Sequence, residues 1–368
     1  MLKLTNILIS GGGTGGHIFP AVAIANGIRA TLPDANILFV GAKGRMEMEK
    51  VPQAGYPIEG LWISGLQRKL DLKNLSFPFK VLSSLIKANK IINKFKPDVV
   101  IGTGGYASGP LLYVASKKKI QTLILEQNSY PGITNKLLGK SVSKVCVSYD
   151  GMEKYFPKKK IIITGSPIRK EINELKVTRE ESIEYFNLNR DKATLLIIGG
   201  SQGAQKINEV IGERLNELVS ENIQMIWQTG KYSYDIAKDY AEQSPKRNSI
   251  NVVDFISRMD LVYAASDLII SRAGAIAIAE IVAVDKPAIF IPLPSAAEDH
   301  QTKNAMALVK GHAAILVKES EASEKLIPEI KKLMEFESNR LVMVQNLKRF
   351  KHPDATEKIV NKIMEMIK

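Results

Sequence analysis

Asn6-Ile7-Leu8-Ile9-Ser10-Gly11-Gly12-Gly13-Thr14-Gly15-Gly16-His17 runs a short apolar strand straight into a glycine cluster. The pattern recurs where Asp98-Val99-Val100-Ile101 meets Gly102-Thr103-Gly104-Gly105-Tyr106-Ala107-Ser108-Gly109. It recurs again where Leu195-Leu196-Ile197-Ile198 meets Gly199-Gly200-Ser201-Gln202-Gly203-Ala204. Glycine lets the backbone approach a ligand and leaves its N–H groups pointing outward. With the first turn of the next helix, those donors form an anion site. A single loop of this kind often just joins a strand to a helix. Three of them, spread over both halves, predict two nucleotide-binding-type domains facing one cleft.

Working outward, short apolar runs at 7–10, 37–41, 99–102, 122–126 and 144–148 read as buried parallel strands. Helical stretches such as 21–32 and 81–95 lie between them. The second half repeats the scheme, with strands at 194–198, 224–228, 268–271 and 288–292. This alternation predicts an α/β fold of two Rossmann-like doubly wound domains with right-handed crossovers. A Gly165-Ser166-Pro167 turn sets the boundary, giving domains at 1–165 and 166–349. A C-terminal helix at about 350–368 is expected to pack back on the first domain.

The 368-residue chain is 45% hydrophobic, as an ordinary globular protein is. No apolar stretch approaches the roughly 18–20 residues that span a bilayer. The N-terminus enters the first strand directly, so no signal peptide is expected, and the lone Cys146 fits a cytoplasmic compartment. The net charge of +13 is lopsided: residues 1–165 hold 23 Lys and Arg against 9 Asp and Glu, the remainder 28 against 29. One domain therefore holds an anionic partner. Nucleic acid, an anionic membrane and a phosphorylated substrate all stay open on charge alone.

Gly11, Gly13 and Gly16 satisfy G-x-G-x-x-G, yet the next strand ends Phe39-Val40-Gly41-Ala42-Lys43 without the acid that would hold an NAD ribose. The Gly-Lys-Ser/Thr of an ATP loop is also missing. The four histidines lack metal-ligand spacing and no Asp-x-Asp occurs, so neither a metal nor a cofactor is expected. His17 follows the first loop and precedes Pro20, which suits a helix's first turn. There the charged imidazole is disfavoured, leaving either a proton acceptor or a brace for the loop. Glu280 is the single acid between Asp267 and Asp285, in an apolar helix after Arg272-Ala273-Gly274. It reads as a ribose ligand or as a surface glutamate. A polar loop, Pro292 to Gln301, follows a strand end, where α/β sheets bind ligands. Residues 67–97 carry eight bases and one acid, interleaved with apolar residues. Lys73, Leu75, Phe77, Phe79 and Lys80 at the helix entry suit an interfacial membrane contact, the alternative being a solvated basic helix.

The segments 12–20, 104–110, Glu126-Gln127-Asn128, 165–169, 199–204 and Asp299-His300-Gln301 together resemble the MurG family over essentially the whole chain. Members convert lipid I to lipid II in bacterial peptidoglycan synthesis. The resemblance implies a GT-B fold, with UDP-N-acetylglucosamine held mainly by the second domain. Ser201 and Arg169 would lie at the diphosphate, Ile256 at uracil, and Glu280 at the ribose, within the segment Ala275, Ile276, Ala277, Ile278, Ala279. Gln301 would contact the sugar. Thr14, Gly15, Gly16 and Asn128 would come from the first domain, with Gly104, Gly105 and Tyr106 on the acceptor side. His17 is the first choice of general base and Glu126 the second. Implied partners are the UDP-sugar, undecaprenyl-diphosphate-linked lipid I and the anionic cytoplasmic face of the inner membrane. A transferase or UDP-sugar epimerase with a soluble substrate is the competing reading. Nucleic acid is disfavoured because the basic half shows no recognised binding module.

Overall fold

The computed structural model describes residues 4–65, 76–199 and 204–367. The chain divides into two compact units, Met1–Arg169 with His352–Lys368, and Lys170–Lys351. In the first, β1 (Asn6–Gly11) leads to α1 (Gly15–Thr31), β2 (Asn36–Ala42), α2 (Glu47–Gln53), β3 (Ile58–Leu61) and α3 (Phe77–Phe95). There follow β4 (Val99–Gly104), α4 (Ser108–Lys117), β5 (Gln121–Glu126), α5 (Ile133–Leu138), β6 (Lys144–Val147) and β7 (Ile161–Ile163). The strands pair in parallel in the order β3-β2-β1-β4-β5-β6-β7. The order reverses between β1 and β4, and there the first two glycine clusters emerge side by side. Such a switch point is where α/β sheets bind ligands.

Alternation along the strands sends neighbouring side chains to opposite faces. Leu8, Val100, Ile124 and Val145 pack under α3, α4 and α5 through Ala88, Ile91, Leu111, Leu112 and Leu138. Ile7, Ile9, Ile101 and Leu123 pack under α1 and the chain's last helix, Ala355–Ile367, through Ile24, Ile28, Ile359 and Ile363.

The second unit opens with α6 (Lys170–Asn173), α7 (Arg179–Tyr185), β8 (Ala193–Ile198), α8 (Gln205–Glu213), α9 (Leu215–Leu218) and β9 (Ile223–Gln228). It continues with α10 (Tyr234–Gln243), β10 (Ile250–Val253), α11 (Met259–Ala265), β11 (Leu268–Ser271), α12 (Ala275–Ala283) and β12 (Ala288–Phe290). It ends with α13 (His300–Lys310), β13 (Ile315–Leu316), α14 (Ala322–Glu335) and α15 (Glu337–Leu347). The parallel sheet runs β10-β9-β8-β11-β12-β13 and again reverses beside its glycine loop, between β8 and β11.

Four strands lie outside the runs read from sequence: β3, β7, β10 and β13. All are sheet edges of two to four residues. An edge strand is half-covered, so Ile58-Glu59-Gly60-Leu61 needs no continuous apolar run. Two helices also start earlier than expected. α1 begins at Gly15 rather than 21, which puts Pro20 inside it, and α3 begins at Phe77 rather than 81.

In the second unit the fully buried Trp227 donates from Nε1 to Asn208 Oδ1 at 3.0 Å. The Asn208 amide in turn donates to the Thr229 carbonyl at 2.9 Å, tying α8 to β9. Asn208→Leu leaves a buried donor and a buried acceptor unmatched. Chemical denaturation should report a loss of about 2–4 kcal/mol.

Candidate active site

The first unit's site is a junction of three strand ends. The Gly12 amide donates to the Gly104 carbonyl at 3.3 Å, joining the first two glycine clusters. Gly105 has φ +90, and a Cβ there would lie 2.4 Å from the Gly12 carbonyl oxygen. Only glycine fits so close a backbone approach. Hydroxyls lace the strands beneath. Thr103 Oγ1 donates to the His17 carbonyl at 2.7 Å, and Ser108 Oγ lies within bonding distance of the Ser10 and Gly104 carbonyls. Gln127 Nε2 donates to the Thr103 carbonyl at 2.8 Å, adding the end of β5 to the junction.

His17 occupies the first turn of α1, behind Thr14, Gly15 and Gly16. Its Nδ1 donates to the Gly12 carbonyl at 2.9 Å, because a carbonyl can only accept. In the neutral imidazole that bond puts the proton on Nδ1 and the basic lone pair on Nε2. The ring lies against Gly104, where a Cβ would come within 2.8 Å of Nε2. The second glycine cluster thus makes room for the histidine. Tyr106 is half-exposed and packs against Gly65.

Glu126 has a different environment. It is 1% exposed, and its Oε1 accepts from the Asn128 backbone and side-chain amides, both at 3.0 Å. Its Oε2 accepts from the Gly132 amide at 3.0 Å and from Asn135 Nδ2 at 2.9 Å. Four donors meet on one buried carboxylate and tie the 127–132 loop to the end of β5. That network ties Glu126, the second choice of base, to the loop that follows β5.

Glu47 went unnoticed in the sequence. Fully buried, it accepts from the Gly13 amide at 2.8 Å and from the Ala42 amide at 2.9 Å, pinning the first glycine loop to the end of β2. A carboxylate in Arg45-Met46-Glu47-Met48-Glu49 looks like any helix-start acid, so its local pattern carries no signal. Arg169, expected at the donor diphosphate, belongs to the first unit, its guanidinium 5.7 Å from the Phe19 ring centre.

In the second unit Ser201 lies outside the described residues. Glu280 is 5% exposed, and Tyr263 Oη donates to its Oε2 at 3.1 Å, which removes the surface-glutamate reading. Ile276 and Ile278 are buried side chains of the same helix, whereas Ala275, Ala277 and Ala279 are half-buried. α12 starts without a side-chain cap at Gly274. Ile256 is buried beside the exposed Phe255. Gln301 Oε1 accepts from the Leu293 amide at 2.9 Å, closing the 293–301 loop. Glu298 and Asp299 in that loop have φ +54 and +53, backbone strain of a kind concentrated at binding sites. Among the described residues no group of three or more His, Cys, Asp and Glu is placed to hold a metal ion.

The membrane-facing expectation shifts along the helix. Lys73 and Leu75 lie outside the described residues, Phe77 is half-buried, and Lys80 donates to Ser64 Oγ at 3.0 Å. The exposed apolar row is Phe79, Leu82 and Ile86, beside a groove of about 660 Å³ edged by Lys87, Lys90 and Lys94. Ser84, Ala88, Ile91 and Ile92 are the buried side of α3. The helix therefore has two apolar sides. No described helix is long and apolar enough to cross a membrane.

Residues 7–147 match the glycosyltransferase family 28 N-terminal domain, and residues 194–359 match its C-terminal domain. Two parallel-sheet α/β units with these loops define a family 28 glycosyltransferase of the GT-B fold. A UDP-N-acetylglucosamine--N-acetylmuramyl-(pentapeptide) pyrophosphoryl-undecaprenol N-acetylglucosamine transferase from Flavobacterium psychrophilum is 52% identical over 98% of this chain and 97% of its own. The identically named protein of Cytophaga hutchinsonii is 52% identical over 99% and 98%. The crystal structure of Acinetobacter baumannii MurG matches with a TM-score of 0.79 at 27% identity, covering 98% of this chain and 99% of that one. The chain belongs to the MurG family of N-acetylglucosamine transferases. A UDP-GlcNAc 2-epimerase from Neisseria meningitidis, at 14% identity and a TM-score of 0.70, shares the fold alone; it covers 98% of this chain and 100% of its own.

Glu47→Gln keeps one of the two loop bonds and turns an NH₂ toward the other amide. Transferase turnover should fall about ten-fold while the far-UV spectrum is unchanged. Steady-state kinetics beside circular dichroism checks both.

Proposed function

We propose that this enzyme moves N-acetylglucosamine from UDP-N-acetylglucosamine to the muramyl 4-hydroxyl of lipid I with inversion, forming lipid II. The observation that carries the reading is the Nδ1 bond of His17 to the Gly12 carbonyl, which directs the basic nitrogen of a helix-start histidine to Nε2. Nε2 takes the proton of the 4-hydroxyl as that oxygen bonds to the anomeric carbon. The bond from that carbon to the UDP oxygen breaks, and its electron pair leaves with UDP. Attack opposite the leaving group turns an α linkage into a β one.

The second unit binds the donor. Uracil meets the backbone at Ile256, the ribose hydroxyls meet Glu280, and Gln301 meets the sugar. Charge that develops on the diphosphate is stabilised by the amides opening α12, by Ser201 and its loop, and by Arg169. The first unit binds the acceptor through Thr14, Gly15, Gly16, Asn128 and the Gly104–Gly105–Tyr106 turn. Its basic excess balances the acceptor's pyrophosphate. Phe79, Leu82, Ile86 and the neighbouring lysines dock on the anionic cytoplasmic face of the inner membrane, each lysine adding about 1 kcal/mol near anionic lipid. The enzyme is in this reading a peripheral one, serving cell-wall growth and thereby cell shape and division.

The decisive experiment is transfer of radiolabelled sugar from UDP-N-acetylglucosamine to a lipid I analogue. Turnover of soluble acceptors only would favour a different substrate class. With His17→Ala, kcat should fall by roughly 10²–10⁴-fold, the usual contribution of a positioned base, with UDP affinity retained by calorimetry. An effect confined to acceptor KM would instead make His17 a loop brace.

Glu280→Ala should weaken UDP binding by roughly 10- to 150-fold, the loss expected of bonds to a charged acceptor. Calorimetry on the folded variant measures it. Replacing Phe79, Leu82 and Ile86 by Ser should abolish flotation with anionic vesicles while a water-soluble acceptor is still turned over.

A further inference from the structure

A second apolar surface of the first unit lies away from the α3 row. On α5, Ile133 is 62% exposed and Leu137 is 77% exposed. Spaced i and i+4, they share one side of the helix, and nothing in the described fold covers them. The other side of α5 is fixed. Leu138 enters the core under α3 and α4, and Asn135 donates to Glu126 Oε2 at 2.9 Å and to the Leu125 carbonyl at 3.0 Å. Gly132, immediately before the helix, donates to the same carboxylate. Thr134 lies in contact range of Gly109, at the end of the second glycine cluster. The exposed pair is thus held rigidly beside the loops assigned above to the acceptor.

The charge around it is predominantly positive. Lys136 Nζ sits 3.7 Å from the Tyr130 ring centre and 5.5 Å from that of Tyr155. Lys154 lies 5.1 Å over Tyr155, and the two tyrosines meet edge-on at 5.3 Å. From Gln127 to Gly165 the chain has seven lysines and two acids. An apolar step beside cations held on aromatic rings fits a ligand with a hydrocarbon tail joined to an anionic group.

We infer that Ile133 and Leu137, with Lys136 and Lys154 beside them, bind the lipid end of a polyprenyl-diphosphate-linked acceptor. The chain's first isoprene units lie on α5 as the headgroup enters the glycine loops. The inference rests on the acceptor reading above and assigns α5 a task separate from bilayer docking by α3.

The test compares two lipid I analogues in detergent micelles, one with the full polyprenyl chain and a short-chain one whose diphosphate carries a methyl group in place of the prenyl chain. In the Ile133→Ser/Leu137→Ser variant, KM for the long-chain acceptor should rise roughly ten-fold, the loss expected for two partly covered apolar side chains. kcat, KM for the short-chain acceptor and KM for UDP-N-acetylglucosamine should stay at wild-type values. Lys136→Gln should raise KM for both acceptors, since both carry the diphosphate. Flotation with acceptor-free anionic vesicles should be unchanged. A KM for the long-chain acceptor unchanged by both variants, or an equal rise with both acceptors in the Ile133→Ser/Leu137→Ser variant, would overturn the inference. Lost vesicle binding would also overturn it, by making α5 part of the bilayer contact. Wild-type protein that used neither acceptor would overturn the parent reading together with this one.

Discussion

The first unit's site depends on one close approach, that of the backbones of Gly12, Gly104 and Gly105. Two parallel strands that part at a switch point diverge above the sheet, and a bond between their loops draws the chains back together. A side chain at Gly105 would collide with the Gly12 carbonyl, and one at Gly104 would displace the His17 ring. The same contact orients that carbonyl toward His17 Nδ1, so loop geometry and imidazole tautomer are set by one interaction. Glu47 from α2 and Gln127 from the end of β5 hold the arrangement from either side. The loop's amides are directed by buried partners rather than by their own flexible sequence.

Two buried carboxylates in this unit show how acidity is used away from the chemistry. Glu47 and Glu126 each accept from backbone amides of neighbouring loops, two for Glu47 and two among four donors for Glu126. A group so engaged orders the chain around it. The bond from His17 to the Gly12 carbonyl uses Nδ1 as donor, which sets the lone pair on Nε2. Within this junction the carboxylates brace the loops, and the bond to Gly12 sets which imidazole nitrogen is basic.

The sequence made the central strands legible because each is buried on both faces and must read as an apolar run, as Ile7-Leu8-Ile9 and Leu195-Leu196-Ile197-Ile198 do. It hid the edges, since β3 and β13 are covered on one side and tolerate polar residues or extreme brevity. The glycine loops and His17 were visible as a local pattern. Glu47 was invisible, because its importance comes from β2 and the first loop meeting around it, a relation no short window contains. Pro20 misled, since proline ordinarily marks a first turn, whereas α1 has already begun at Gly15 and places the ring in its buried side. The α3 row was half legible. Basic and apolar residues were plain, but choosing which apolar residues face outward required knowing that Ser84, Ala88 and Ile91 face in.

The uneven charge gains a physical rationale from the proposed roles. Both substrates carry diphosphates, yet the basic excess lies in one unit and the remainder of the chain is close to neutral. A lipid-linked acceptor lies at an anionic surface that repels anionic proteins, so net positive charge on the unit proposed to bind it would draw that unit to the membrane over about a Debye length. The donor arrives from solution and must leave as UDP after each turnover. Uncapped helix amides of the kind that open α12 bind phosphate through short-range dipoles, which stabilise charge where it develops. A cluster of full charges there would bind product and donor alike and slow release. In the proposed reading, mostly neutral donors at the leaving group and net charge at the membrane answer different requirements of one reaction, which accounts for a basic excess confined to one unit.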